Sequence, residues 1–222
     1  MQAIWTILYD IASEERERYL AWFHDVHIPE KLARPGYTWA AHYACVDNAD
    51  AATTGFIALF GAESSRVLHS PSPAQIKPTQ TELTRSMMGL RIEPRVGILI
   101  EEWRCVGRAG CGLLINDQVD APAIRLDCLD AVGADEDLHA WCAQQHAPRI
   151  GGSDGCTAVH KLRASSGALP HAVLQQFRSV AHCTQANEAD MDDAWTGRVE
   201  GYVARPAGAP RIARRIWPLV DD

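Results

Sequence analysis

The sequence predicts an α+β protein in which one strand–helix–strand–strand–helix–strand unit occurs twice in tandem. Three observations predict it. The segment WFHDVHIPEKLARPGYT (Trp22–Thr38) returns in outline as WCAQQHAPRIGGSDGCT (Trp141–Thr157). Aligned without a gap, the two share Trp22 with Trp141, His27 with His146, Pro29 with Pro148, Gly36 with Gly155 and Thr38 with Thr157, each pair 119 positions apart. Finally, both segments sit in the same succession of strand-like and helical runs, which is how a repeat architecture shows itself in sequence.

Each copy opens on a short apolar run that closes on an aspartate: Ile4–Asp10 in the first and, with a one-residue shift, Ile124–Asp130 in the second. An acidic helix start follows, SEERERYLAWF (Ser13–Phe23) or ADEDLHAWC (Ala134–Cys142). Acidic side chains suit the positive end of the helix dipole, and Ser13 is placed to cap the first helix. Tyr19, Trp22, Phe23 and Val26 fall at i, i+3, i+4 and i+7, one apolar stripe; Leu138, Trp141, Cys142 and Gln145 hold the same phase in copy two. Pro29 and Pro148 are expected to end these helices or begin a turn. Gly36 and Gly155 then mark tight turns into a second strand, Tyr37–Val46 or Cys156–Ala164. A third strand (Gly55–Glu63; His171–Ser179), a polar helical stretch (Ala74–Leu90; Asn187–Val199) and a closing strand (Arg95–Val106; Arg211–Val220) complete each copy. This is the split βαβ, ferredoxin-like plan. The division expected is 1–107 for the first repeat, 108–122 for a linker and 123–222 for the second, with CGLLIND (Cys111–Asp117) as an added edge strand.

These residues resemble the dimeric α+β barrel superfamily: a first strand, a helix carrying Trp and ending in His-x-Pro, then Pro-Gly and an aromatic-rich strand. The closest resemblance is to its EthD-like branch. The resemblance covers nearly the whole chain and implies two antiparallel sheets packed face to face, here joined covalently as a pseudo-dimer. Burying the two bare sheet faces removes apolar surface from water at about 25 cal/mol per Å². Relatives in the superfamily include lactone isomerases, quinone-forming monooxygenases, polyketide cyclases, haem-dependent dehydratases and proteins without known activity, so the resemblance speaks for fold more than for reaction.

Composition narrows the partners. Of 222 residues 47% are hydrophobic and 22% charged, ordinary values for a chain with a proper core. The net charge of −7, with no basic block, speaks against nucleic acid. No apolar run approaches the length of a bilayer span, and the opening MQAIWTILYD lacks the features of a signal peptide, so a cytoplasmic protein is expected. Seven cysteines without CxxC spacing read as reduced thiols. Neither a phosphate loop nor a dinucleotide fingerprint nor a serine elbow is present, and no cofactor is expected from the residues.

The chemistry-bearing candidates cluster around the repeated motif. His27 is the candidate acid–base group, a histidine being able to give and take protons near neutrality; the resemblance suggests the same role. Its recurrence as His146 also fits a structural corner used twice. His24 and His27 stand three apart, yet no third ligand accompanies them, so no metal site is expected and His24 reads as a solvated or edge residue. On the second strand Trp39 and Tyr43 share one face and His42 the other; His160 joins the Trp39 face by the 119-residue offset, and Lys161 the His42 face. Tyr43 is the second tentative catalytic residue, with Trp39, His42, His146 and His160 as ligand-binding candidates. Trp22 and Trp141 read as core, Trp103 and Trp217 as core or barrel seam. Arg85 and Arg198 read as solvated, with an anionic ligand within their reach as the alternative.

The functional expectation is a small-molecule enzyme (isomerase, cyclase or cofactor-free monooxygenase) acting on a hydrophobic or aromatic compound lodged between the sheets. A non-catalytic ligand-binding module and a haem protein are the alternatives. The chain is expected to act as a monomeric pseudo-dimer or as a homodimer.

Overall fold

The computed structural model describes residues 3–46, 52–112, 118–167, 170–188 and 193–220. The expected edge strand at Cys111–Asp117 falls largely outside these residues. The fold is α+β, and its eight antiparallel strands follow the order β1-β3-β2-β8-β5-β7-β6-β4, which closes into a barrel. By its internal contacts the chain divides into two compact units, Met1–Ile100 with Ser165–Ala168 and Arg215–Asp221, and Glu101–Ala164 with Leu169–Arg214 and Asp222.

In the first unit β1 (Ala3–Ala12) leads into α1 (Arg16–Trp22), a π-helical turn (Phe23–His27) and α2 (Ile28–Leu32). Next come β2 (Tyr37–Cys45), β3 (Thr53–Ala62), α3 (Ser65–His69), α4 (Pro73–Ile76) and α5 (Glu82–Gly89), then β4 (Ile92–Val106). β1 lies between β3 and the start of β4, and β2 borders β3. Alternation sends Trp5, Ile7, Tyr9, Ala40, Phe56, Ala58 and Phe60 toward the helices, where they pack on Tyr19, Trp22, Phe23, Ile28 and Met87. Burying each large side chain contributes about 1.5–3 kcal/mol.

The second unit repeats the order: β5 (Ala123–Leu129), α6 (Asp135–Trp141), a π-helical turn (Cys142–His146), α7 (Ala147–Gly152), β6 (Cys156–Gly167) and β7 (His171–Phe177). Then follow α8 (Val180–Glu188), α9 (Ala194–Tyr202) and β8 (Arg211–Trp217). β5 lies between β7 and β8, with β6 on the far side of β7. The helix-facing core holds Leu129, Leu138, Trp141, Ile150, Val159, Phe177 and Val199.

The helices depart from the sequence expectation in one instructive way. Pro29 and Pro148 do not end them. A π-helical turn precedes each proline, and the widened turn lets the chain pass a residue whose ring otherwise collides with the carbonyl four residues back. The extra residue also rotates everything after it. Val26, the last position of the expected stripe, is 45% exposed, and His27 takes its place at 1%. Ser13 does not cap α1 either: it opens a 3-10 turn, and its amide donates to the carbonyl of Ala52 at 2.9 Å. Gly36 and Gly155 make the turns into β2 and β6 at φ of +83° and +75°, a region that favours glycine. The expected polar helices are less regular than their sequences suggest. The first splits at Pro78 into α4, opened by a Ser72–Gln75 capping box, and α5; the second is preceded by α8.

Candidate functional site

His27 marks the candidate site of the first unit. The π turn aims it at the sheet, where its ring lies 4.7 Å from Trp22, 5.3 Å from Phe23 and 6.5 Å from Phe60 between centroids. It lines a cavity of about 460 Å³ enclosed by β1, α2, the α4–α5 segment and the start of β4. Trp5, Ile7, Ile76, Met88, Pro94 and Val96 give this cavity an apolar body. Among the described residues neither imidazole nitrogen of His27 has a hydrogen-bond partner, although both are buried. Buried polar atoms nearly always have partners, so this unpartnered pair on a side chain at a cavity wall singles His27 out.

Five cations share the wall: Lys31, Arg34, Lys77, Arg85 and Arg91, with no carboxylate among the lining residues. Lys31 is buried at 2% side-chain exposure and, among the described residues, meets only the outer carboxylate of Glu30, at 3.4 Å. Arg91 donates from Nε to the Tyr19 hydroxyl at 2.8 Å and lies over the Tyr9 ring at 4.8 Å. One of its terminal nitrogens is buried without a partner. Burial, seconded by Lys31, Arg91 and Arg34, holds the His27 imidazolium down to a pKa of about 2. Burial and Arg34 lower Lys31 as well, against the opposing pull of Glu30. The cavity wall thus sets a neutral histidine beside several cations whose only carboxylate partner among the described residues, Glu30, stands outside it. Such a site can stabilise an anion, and His27 becomes a better base once an anion offsets the cations that lower it.

The other sequence candidates lie elsewhere. His42 does face the helices, but it belongs to a buried chain: Nε2 meets the Tyr9 hydroxyl at 2.8 Å and Nδ1 meets His24 Nε2 at 2.8 Å. Its ring also stacks on Phe56 and sits 4.5 Å from Phe23. Burial first, then His24 and Arg91, lower its pKa well below the usual value. His24 is therefore half-buried and bonded, not the solvated residue expected from sequence. Trp39 and Tyr43 point to the opposite face of the sheet, beside Ile57, Leu59 and Gly61 in register. The structure does not bring them to His27.

In the second unit His146 occupies the matching corner, 4.6 Å from Trp141, and lines a cavity of about 300 Å³. Here the walls are polar. Arg125 pairs with Gln175 across the sheet as Trp5 pairs with Phe60 in the first unit. Gln175 bonds His146 Nε2 at 3.2 Å and accepts from Asn187 at 3.0 Å. Arg205 holds Asp127 at 3.0 Å and Glu200 at 2.7 Å, closing an ion network over the space. Burial, then Arg125 and Arg149, take His146 to a pKa of about 3. His160 faces away from this cavity, bonded to Glu101 at 3.0 Å and Gln176 at 2.7 Å. Lys161, the counterpart of His42, is locked to Glu102 and His171, each near 3 Å. Arg198 pairs with Asp137 on the surface, whereas Arg85 reaches the rim of the first cavity.

The position expected from sequence for the cavity that His27 lines is corrected by this geometry. His27 sits on the helix that covers the sheet, so the cavity it reaches lies between that sheet and its helices, not between two sheets. Sequence reasoning missed Lys31, Arg34 and Arg91. The only available signal was a lysine one turn after His27, a spacing too common to single out.

Among the described residues no group of three or more His, Cys, Asp or Glu can hold a metal ion, and no helix is long and apolar enough to cross a membrane. No family model and no curated protein matches the chain. Solved structures do. The chain is similar to an anthrone oxidase-like protein at a TM-score of 0.66 and 14% identity, covering 97% of this chain and 91% of that one. A provisionally named monooxygenase from Fusobacterium nucleatum subsp. nucleatum aligns at 0.57 and 7% identity over 96% and 91% of the two chains. A mutant chlorite dismutase from Candidatus Nitrospira defluvii aligns at 0.57 and 10% identity over 96% and 90%. At these identities the likeness shows the fold alone, an α+β barrel.

Proposed function

We propose that the chain is a small-molecule enzyme whose first unit ionises an apolar, aromatic compound in the His27 cavity. The observation that carries this reading is the buried imidazole with both nitrogens unpartnered among the described residues, in a side chain that lines about 460 Å³ of largely apolar space. Isomerisation, cyclisation and cofactor-free oxygenation share one first step, removal of a proton to leave a delocalised anion. His27 takes that proton, and Lys31 and Arg91 face the developing charge. The matched π turns and the 119-residue offset support a further reading, that an EthD-like unit was duplicated and that only the first copy kept an open site.

One observation favours binding without turnover: the cations that welcome an anion also keep His27 a weak base in the empty cavity. Oxygen uptake separates the two readings. Anthrone is a suitable probe, since its CH₂ carbon is acidic and apolar on both sides; with O₂ it gives anthraquinone and water. Uptake matched by anthraquinone, lost in His27→Ala and in Lys31→Met, is the expected result. Saturable binding with the uncatalysed rate would leave a binding protein. His27 is also the cavity residue whose chemistry suits an axial haem ligand, so haem is titrated in parallel; a Soret band that vanishes in His27→Ala would replace proton transfer by iron chemistry.

A further inference from the structure

We infer that the compound bound in the first unit carries a permanent anionic group, a carboxylate in its simplest form, held by Arg91 and Lys31 while the apolar body lies against Trp5, Ile7 and Met88. This rests on the reading that the His27 cavity is the ligand site. The argument is one of charge accounting. The chain carries −7 overall, yet five cations and no carboxylate line this cavity. Glu30 answers Lys31 and Arg34 from outside, at 3.4 and 3.6 Å, and is itself 42% exposed. Arg91 has no carboxylate partner at all among the described residues, and one of its buried guanidinium nitrogens is open. A partly buried cation without a counter-ion carries a desolvation cost, and a charge-assisted hydrogen bond to an incoming anion relieves it.

The second unit supplies the internal control. At the same corner three cations, Arg125, Arg149 and Arg205, line the cavity together with three carboxylates of the chain, Asp127, Glu188 and Glu200; Arg125 and Arg205 pair with Asp127, and Arg205 also with Glu200. There the protein provides the anion; in the first unit a ligand must. A single anionic group suffices, because Lys77 and Arg85 lie on chain segments at the solvent-facing rim and Arg34 already shares Glu30.

Three probes of one shape test the inference: 2-naphthoate, the neutral 2-naphthamide and the cationic 2-naphthylmethylammonium, titrated calorimetrically into the full chain. The expected result is naphthoate binding at least tenfold tighter than naphthamide, no detectable ammonium binding, and a naphthoate affinity that weakens as salt rises. Arg91→Met abolishes the preference, naphthoate then binding no more tightly than naphthamide to the same variant. Should Arg91→Met fail to fold, Lys31→Met and the salt series carry the same comparison. Equal affinity for naphthoate and naphthamide would overturn the anion requirement and leave the cavity intact as a ligand site. Failure of all three probes to bind at millimolar concentration would overturn the site reading, and the inference with it.

Discussion

His27 packs against the indole of Trp22 with ring centroids 4.7 Å apart, and the same pairing, Trp141 with His146, recurs 119 positions later at 4.6 Å. The π turn makes this possible. In a regular α-helix residues five apart diverge by well over a right angle, whereas the added residue swings the second side chain back over the first. What differs between the copies is the outer side of the imidazole. Both rings line a cavity, but His146 bonds Gln175 at 3.2 Å, whereas neither nitrogen of His27 has a partner among the described residues.

That difference predicts opposite stability effects for one substitution. His27→Leu removes a buried ring whose nitrogens have no partners, and is expected to raise unfolding stability by about 1 kcal/mol while abolishing ligand binding. His146→Leu leaves Gln175 without its bond and is expected to cost about 1–3 kcal/mol. Denaturant unfolding of both variants checks the pair. A loss of stability in His27→Leu equal to that in His146→Leu would show the two corners to be equivalent structural devices.

Acid sensitivity follows from the same burial. His27 and His146 titrate at about 2 and 3 in the folded chain, and His42 is lowered well below its ordinary value, against 6.5 when unfolded. Below the unfolded pKa the unfolded chain binds protons that the folded chain refuses, so stability falls as pH falls. Each of the three histidines contributes a slope of about 1.4 kcal/mol per pH unit below about pH 6. Acid unfolding is therefore expected before most carboxylates titrate, and His27→Gln should remove one histidine's share of the slope. Constant stability from pH 7 to pH 5 would contradict it.

How much of this was legible in the sequence varies by level. The repeat, its strand order and the turn glycines Gly36 and Gly155 were readable because they depend on local residue chemistry and on spacing. The π turn was not: it is a change of hydrogen-bond partner, invisible in a stripe such as Tyr19, Trp22, Phe23 and Val26 until its last member faces solvent. Which strand face held His42 was likewise undecided, since parity separates faces without saying what covers them. The cation cluster was least legible. Lys31 and Arg34 come from the end of one helical segment and Lys77, Arg85 and Arg91 from another, and only tertiary packing sets them around one space.

The shifted helix register gives a direct test at Val26. Read from sequence, it belongs to the core stripe, and a charge there would cost several kcal/mol. In the structure it is 45% exposed. Val26→Asp is expected to change stability by less than about 0.5 kcal/mol, the range of surface substitutions. A large loss in thermal or denaturant unfolding would restore the regular helix.

On the opposite face of the sheet, Gly61 and Trp39 form a pair whose coupling is measurable. They are register partners on β3 and β2, and a Cβ built on Gly61 would lie 2.0 Å from the indole nitrogen of Trp39. The Trp39 ring thus covers the glycine backbone, and no side chain fits beneath it. Gly61→Ala alone is expected to cost about 1–3 kcal/mol through overpacking. Combined with Trp39→Leu, the added methyl should cost almost nothing, because the atoms it strikes are gone; the double-mutant cycle then shows strong positive coupling. Additive losses would mean that the indole stands clear of Gly61, and that Trp39 is free to present its unpartnered Nε1 elsewhere.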